Sequence, residues 1–406
     1  MRLVAVIMMA CAMAVVGAER VTTSAAPAAL RRVAFLIDSW HPISHADVIG
    51  TRLLEGYRIG DRRQASPVTI GSVLQVEPRP NSTLRDVATK HNIRIASSVA
   101  EALLDNPAAA QPQLAVDGVL IAVRTPLPRG VPAERSAQYR LFMETMAAFD
   151  RAGRPVPVFV DKNLAATWEE SQAIVAEAAR RHVPLAGGSV VPWVPLEPAP
   201  PAGRRVQVAV AISAAPYATY AIHAAELLQA FMETRAARET GIASVREVGR
   251  GYWSLPDRDR WGGDVMDGLL ASARTKRARA PGVPGGLGEE TYVVLVQYVD
   301  GARGVLALMP RVFDDAEFLL GARYDTGPLY LGGLVLGGAP YDHFGYLADA
   351  LVQFFTTGRP PAAAERTLLA TGMSLFGLRS RESGGHPQSP PSLAVAYTPT
   401  PRGPGR

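Results

Sequence analysis

The 406 residues exceed what a single hydrophobic core commonly organises, so two domains with appended ends are expected. An apolar share of 48% against 19% charged residues, with glycine and proline abundant but aperiodic, excludes a collagen-like or wholly disordered chain. The net charge of +5 comes from scattered arginines, densest at Arg274, Lys276, Arg277 and Arg279. Without a basic stripe interleaved with aromatics this reads as a solvated loop, and no nucleic-acid partner is expected.

Residues 1–18 set one arginine before an apolar run that ends in small residues, the outline of a secretory signal too short to span a bilayer comfortably. Export to a periplasmic or extracellular space is expected, with no transmembrane span after cleavage. The lone cysteine, Cys11, lies inside this run, so a mature chain would have neither disulfides nor a Cys-based metal site. Residues 19–30 are small and polar and read as a linker.

From residue 31 the pattern alternates between short apolar runs and amphipathic stretches. Val33 to Ile37 reads as a buried parallel strand, and Ala46 to Tyr57 as a helix with Ile49, Leu53, Leu54 and Tyr57 at helical spacing. Then follow a strand over Pro67 to Val76, a helix from Ser82 to His91 capped by Ser82, a helix over Val99 to Leu104 and a strand over Gly118 to Val123. A helix over Tyr139 to Arg151, a strand over Val156 to Val160, a helix over Trp168 to His182 and an extended Pro184 to Ala186 complete the series. Residues 31–200 are thus expected to form an α/β domain, a Rossmann-like doubly wound parallel sheet.

The proline-rich run from Pro195 to Pro201 marks the domain boundary. Residues 201–383 read as an α+β open-sheet domain. It has a strand over Val206 to Ile212, a helix over Tyr220 to Glu233, a hairpin of Thr291 to Val299 with Ala302 to Met309, and helices over Tyr346 to Thr356 and Glu365 to Leu378. The Thr291 strand is apolar on both faces, which predicts cover by a second copy and hence a homo-oligomer through this sheet. The Pro/Ser/Gly-rich tail, 384–406, either wraps the surface or is disordered.

Several short motifs fall in an order that resembles the glucose-fructose oxidoreductase and inositol dehydrogenase (Gfo/Idh/MocA) family. Ala88-Thr89-Lys90-His91-Asn92-Ile93 followed by Ser98-Val99-Ala100-Glu101-Ala102-Leu103, and Val116-Asp117-Gly118-Val119-Leu120-Ile121 before Thr125-Pro126, are similar to its early segments. Gly153 to Ala165 resembles the strand that ends in the family's active-site lysine, and Thr219-Tyr220-Ala221-Ile222-His223 its histidine motif. The resemblance implies an oxidoreductase acting on a sugar or cyclitol, with Lys162 and His223 as the catalytic acid/base pair. It also implies NAD or NADP as cofactor, with Ser44, His45, Thr125, Pro126 and Asp161 as its contacts.

The family's pyrophosphate site needs glycines after the first strand so that backbone amides at the helix start can approach the phosphates. Here Asp38-Ser39-Trp40-His41-Pro42-Ile43-Ser44-His45-Ala46-Asp47 stands in that place, with no glycine before Gly50. The loop predicts atypical or lost NAD(P) binding. The alternatives are a cofactor-free lyase or epimerase and an exported, non-catalytic carbohydrate-binding or assembly protein.

Other residues have two readings. His41, His45 and Asp47 are spaced for a divalent metal, but Pro42 spoils the helical geometry of His41, and capping by Ser44 with Asp47 in the first turn explains them, so no metal is expected. Asp342-His343 is either a cleft pair or a helix start. Tyr252, Trp253 and Trp261 either stack on a sugar ring or anchor a long loop.

Overall fold

In the computed structural model the described residues are 30–400, apart from 125, 129, 131 and 276–286. The signal, most of the linker, Cys11, Lys276, Arg277, Arg279 and the last six residues lie outside them.

The first half runs β1 (Arg31–Ile37), α1 (His45–Glu55), β2 (Tyr57–Ile59), β3 (Arg62–Gln64), β4 (Val68–Gln75), α2 (Leu84–His91), β5 (Arg94–Ala96), α3 (Val99–Leu103), β6 (Gly118–Ala122), α4 (Ala137–Ala152), β7 (Val158–Asp161), α5 (Trp168–Arg180) and β8 (Leu185–Gly188). Six strands form one parallel sheet in the order β5-β4-β1-β6-β7-β8. With the β2–β3 hairpin set aside, this is the doubly wound order 3-2-1-4-5-6. Its topological switch lies between β1 and β6, and ligands of such sheets bind outside the carboxyl ends of the strands. The apolar runs are continuous because helices cover both faces: Val33 through Ile37 and all of β6 are buried. The Ser82 hydroxyl accepts from Leu84 N at the start of α2 (3.4 Å), as expected of a cap, and donates to Gln75 Oε1, while Thr83 immediately before the helix makes no side-chain cap bond.

The second half adds β9 (Val206–Ser213), α6 (Tyr217–Met232), β10 (Ile242–Glu247), α7 (Gly263–Ser272), β11 (Tyr292–Tyr298), β12 (Arg303–Leu308), β13 (Glu317–Tyr324), β14 (Tyr330–Val335), α8 (Phe344–Thr357) and α9 (Ala364–Glu382). Its strands form a mixed sheet in the order β10-β11-β12-β9-β13-β14, parallel only between β12 and β9.

One face of this sheet carries α6 and α9, and α9 also packs on α5 and β8. On the opposite face Val210, Ile212, Val293, Leu295, Val305, Ala307 and Leu319 are buried in a core shared with Tyr252, Val265, Met266 and Leu269. Tyr252 is fully buried and donates from its hydroxyl to the Trp261 carbonyl (2.9 Å), so the aromatic cluster anchors a loop. The expectation of an open apolar face that needs a second copy is therefore corrected: the chain covers this face itself, with its 3-10 turns at 249–261 and α7.

The chain also returns to the first domain. α8 packs on α1 and β2 so closely that a Cβ at Gly345 would collide with the Arg58 carbonyl oxygen, and a Cβ at Gly118 with the Phe355 ring. Arg52, buried on α1, donates to the carbonyls of Pro340 (2.8 Å) and Tyr341 (2.6 Å), tying the segment before α8 to the helix that follows β1. The tail pairs with the second sheet's edge through Val245 with Gln388 and Glu239 with Tyr397, and buries Leu393. Among the described residues no helix is long and apolar enough to cross a membrane.

Candidate functional site

Four residues singled out in the sequence meet at the carboxyl end of the parallel sheet. His45 opens α1, Asp161 ends β7, Lys162 follows it, and His223 lies on α6. Asp161 is buried; its Oδ2 stands 2.7 Å from His45 Nδ1, off the line of a good hydrogen bond, and 3.6 Å from Lys162 Nζ. Burial alone pushes the Asp161 carboxyl up, but His45 and Lys162 outweigh it and hold the group at about 2. It stays ionised at any physiological pH.

His223 is nearly buried, and its Nδ1 has no hydrogen-bond partner. Burial first, then the charges of Lys162 and His45, push it down to about 3, so the ring is neutral and its lone pair is free to accept a hydrogen bond. Tyr220, one turn earlier, sets its ring 5.2 Å from that of His223. On the other side Phe344 meets His45 edge-on at 5.3 Å, and His343 packs on Phe344 at 4.8 Å. Burial and the Arg52 charge hold His343 down at about 4.

The backbone around this cluster is strained. Lys162 (φ 68°), Ile43 (φ 69°) and Tyr341 (φ 61°) all adopt the left-handed conformation that non-glycine residues avoid, and Ile43 is β-branched. Each such residue costs about 1–3 kcal/mol and persists where the surroundings over-determine it, commonly at functional sites. Lys162 is held by its N–H, which donates to the Gly188 carbonyl at 3.0 Å.

The contacts inferred for a dinucleotide fare differently. Ser44 caps α1: its hydroxyl accepts from Asp47 N (3.1 Å) and His41 N (3.2 Å), while Asp47 Oδ2 accepts from Ile43 N (3.0 Å). The His41, Ile43 and Asp47 amides at this helix start are thus bonded to the chain's own side chains, one of them an anion. Asp38 accepts from Ser39 N at 2.8 Å and pairs with Arg124 at 3.1 Å; Arg124 also reaches Glu77 at 3.3 Å. This bridge crosses the ends of β1, β4 and β6, where a dinucleotide would lie. Trp40 does not occupy the crevice but is fully buried beneath α1, edge-on to Phe35 and against Gly50, where any Cβ would collide with its ring. This helix start therefore lacks the glycines of the usual pyrophosphate site, and several of its amides are engaged by side chains. Pro126 is exposed on the segment after β6, and Thr125 lies outside the described residues.

Among the described residues no group of ligands is arranged to hold a metal ion. His41 turns its Nδ1 to the Pro42 carbonyl, 3.1 Å away. Two buried groups went unmarked in the sequence: Glu226, one turn beyond His223, and Arg366 on α9. The single acidic residue of the mainly apolar α6 was the available signal for the first.

No family model matches the chain, and no curated protein matches it. Solved structures do. The myo-inositol dehydrogenase from Lactobacillus casei in complex with NAD(H) and myo-inositol superposes with a TM-score of 0.58 at 12% identity, covering 91% of this chain and 99% of that one. GenD2 from gentamicin A biosynthesis in complex with NAD gives 0.54 at 16% identity, covering 90% and 98%. A probable dehydrogenase from Thermotoga maritima gives 0.54 at 15% identity, covering 89% and 99%. The agreement runs through both domains in chain order, so this chain has the two-domain fold of the Gfo/Idh/MocA dehydrogenases.

Proposed function

We propose that the protein binds a polyhydroxylated, sugar- or cyclitol-like ligand at the His45–Asp161–Lys162–His223 cluster and acts on it by proton transfer rather than by hydride transfer to a nicotinamide. The observation that carries this reading is the placement of an ionised Asp161 beside Lys162, together with a neutral His223 whose Nδ1 lacks a hydrogen-bond partner, at the carboxyl end of the sheet. Lys162 donates to one ligand oxygen, and His223 takes the proton of a neighbouring hydroxyl or acidified C–H. The occupied amides of α1 and the Asp38–Arg124–Glu77 bridge favour a cofactor-free reaction, and the NAD- and inositol-bound neighbours favour this ligand class.

Calorimetric titration tests both halves. NAD(H) and NADP(H) are expected to show no saturable binding up to millimolar concentration, and an inositol or sugar from a panel to bind with an affinity that Lys162→Ala lowers at least about tenfold. Micromolar dinucleotide binding would replace this reading with a dehydrogenase, and a ligand indifferent to Lys162→Ala would remove the cluster from it. Export through the apolar leader is part of the proposal. The mature N-terminus, read by mass spectrometry after expression with the leader, is expected near Glu19; a cytoplasmic chain with the leader intact would reject it.

A further inference from the structure

Glu226 is fully buried on α6, one turn beyond His223. Its carboxylate lies against Gly188: a Cβ added there would stand 2.6 Å from Oε2. Gly188 is also the residue whose carbonyl holds the Lys162 N–H, so a bare glycine backbone is interposed between Glu226 and the strand end that carries the lysine. Neither Glu226 oxygen makes a well-formed hydrogen bond.

The groups facing it are Arg366 and Thr367 from α9, Gly188 from β8, and Glu233 from its own helix. Arg366 Nε is 3.6 Å from Oε2, but that guanidinium also serves Glu233, stacks over Trp193 at 5.1 Å, and has Nε and Nη2 without hydrogen bonds. A buried carboxylate so poorly compensated disfavours its charged form. Burial pushes the group up to about 7 against the pull of Arg366. Other buried polar atoms lacking partners belong to the neighbouring strand end and to the preceding turn of α6: Asn163 Oδ1, Asp161 Oδ1 and His223 Nδ1. Buried polar groups left open in this way are ordinarily joined by ordered water.

We propose that Glu226 is a positioning residue that stores a proton for the site, exchanging it with His223 through water along this seam of unpartnered atoms. A proton received by the His223 ring passes to the Glu226 carboxylate, leaving a neutral imidazole and a neutral acid, and the reverse step restores both. The role rests on the proton-transfer reading above, but its test needs neither ligand nor turnover.

Unfolding equilibria of the full chain and of Glu226→Gln, measured in urea from pH 5 to pH 8, give the first readout. Because wild type must ionise the buried acid as pH rises, the folded-to-unfolded ratio of Glu226→Gln relative to wild type is expected to grow roughly hundredfold over that range. The second readout is the His223 ring resonance in wild type, which is expected to shift with an inflection near neutral pH that Glu226→Gln abolishes. A constant stability ratio overturns the proposal, and so does a His223 resonance that ignores Glu226. If Glu226→Gln does not fold, the wild-type resonance decides alone: an inflection near neutral pH supports the exchange and its absence overturns it.

Discussion

Acidification from pH 6.5 to pH 4 is expected to change folding stability through two large opposing contributions, a loss at His223 and a gain at Glu226. In an unfolded chain a histidine titrates near 6.5, whereas burial and the neighbouring Lys162 and His45 charges hold His223 at about 3 in the folded protein. Folded protein therefore binds fewer protons than unfolded protein throughout this window. The stabilisation is complete above pH 6.5 and is lost as pH falls toward the folded value. By pH 4 the loss from His223 alone is about 3 kcal/mol. His343, held at about 4 but partly open to solvent, adds a smaller, screened share in the same direction. Asp161, already ionised and held at about 2, changes little before pH drops below the ordinary carboxylate range. Glu226 works in the opposite sense, because its raised value makes the folded state the better proton binder, and its gain of about 2 kcal/mol offsets most of the His223 loss. Urea titrations of wild type and His223→Asn at pH 6.5, 5.5 and 4.5 separate these contributions. Relative to wild type the variant should become steadily more stable as pH falls, and an unchanged slope would mean that His223 is not held neutral by its burial.

The parallel sheet was legible because each buried strand is a short unbroken apolar run, as in Val33 to Ile37 and Gly118 to Ala122, and each is followed by an amphipathic helix with a polar cap. The β2–β3 hairpin was not, since Arg58, Arg62 and Arg63 leave it no apolar alternation. β13 and β14 carry Gly321, Gly332 and Gly333 at positions where a side chain would meet neighbouring backbone, and glycine weakens any strand pattern. The tail's composition reads as low complexity, yet Leu393 and Tyr397 are buried. Of the site, Lys162 and His223 were found from motif order, and His45 from its place at the helix start. Asp342-His343 was marked as one of two readings, whereas Glu226 depends on what α9 brings against it, a contact more than a hundred residues away in sequence, which periodicity does not report. Trp40 was legible as bulky but not as buried, because its position depends on Gly50 ten residues later opening the space beneath α1.

Replacing residues 249–275 by a short flexible linker is expected to make the protein associate further than the intact chain does. The second sheet is closed in the intact chain by the chain itself: α6 and α9 cover one face, residues 249–275 cover the other, the tail pairs with β10, and Glu197 pairs with Gly333 on β14. Removal of the cover exposes Val210, Ile212, Val293, Leu295, Val305, Ala307 and Leu319 together, a contiguous apolar patch of the kind monomeric proteins rarely display. Fully burying each such side chain is worth about 1.5–3 kcal/mol, so the patch is strongly driven to find a partner. Light scattering after gel filtration should give a larger species for the deletion than for wild type. A milder version is Leu269→Asp, which sets an unpaired carboxylate against the sheet and should cost more than 3 kcal/mol in urea unfolding. A wild-type chain that is already a dimer, with mass unchanged by the deletion, would show that association uses another surface and that the covered face plays no part in it.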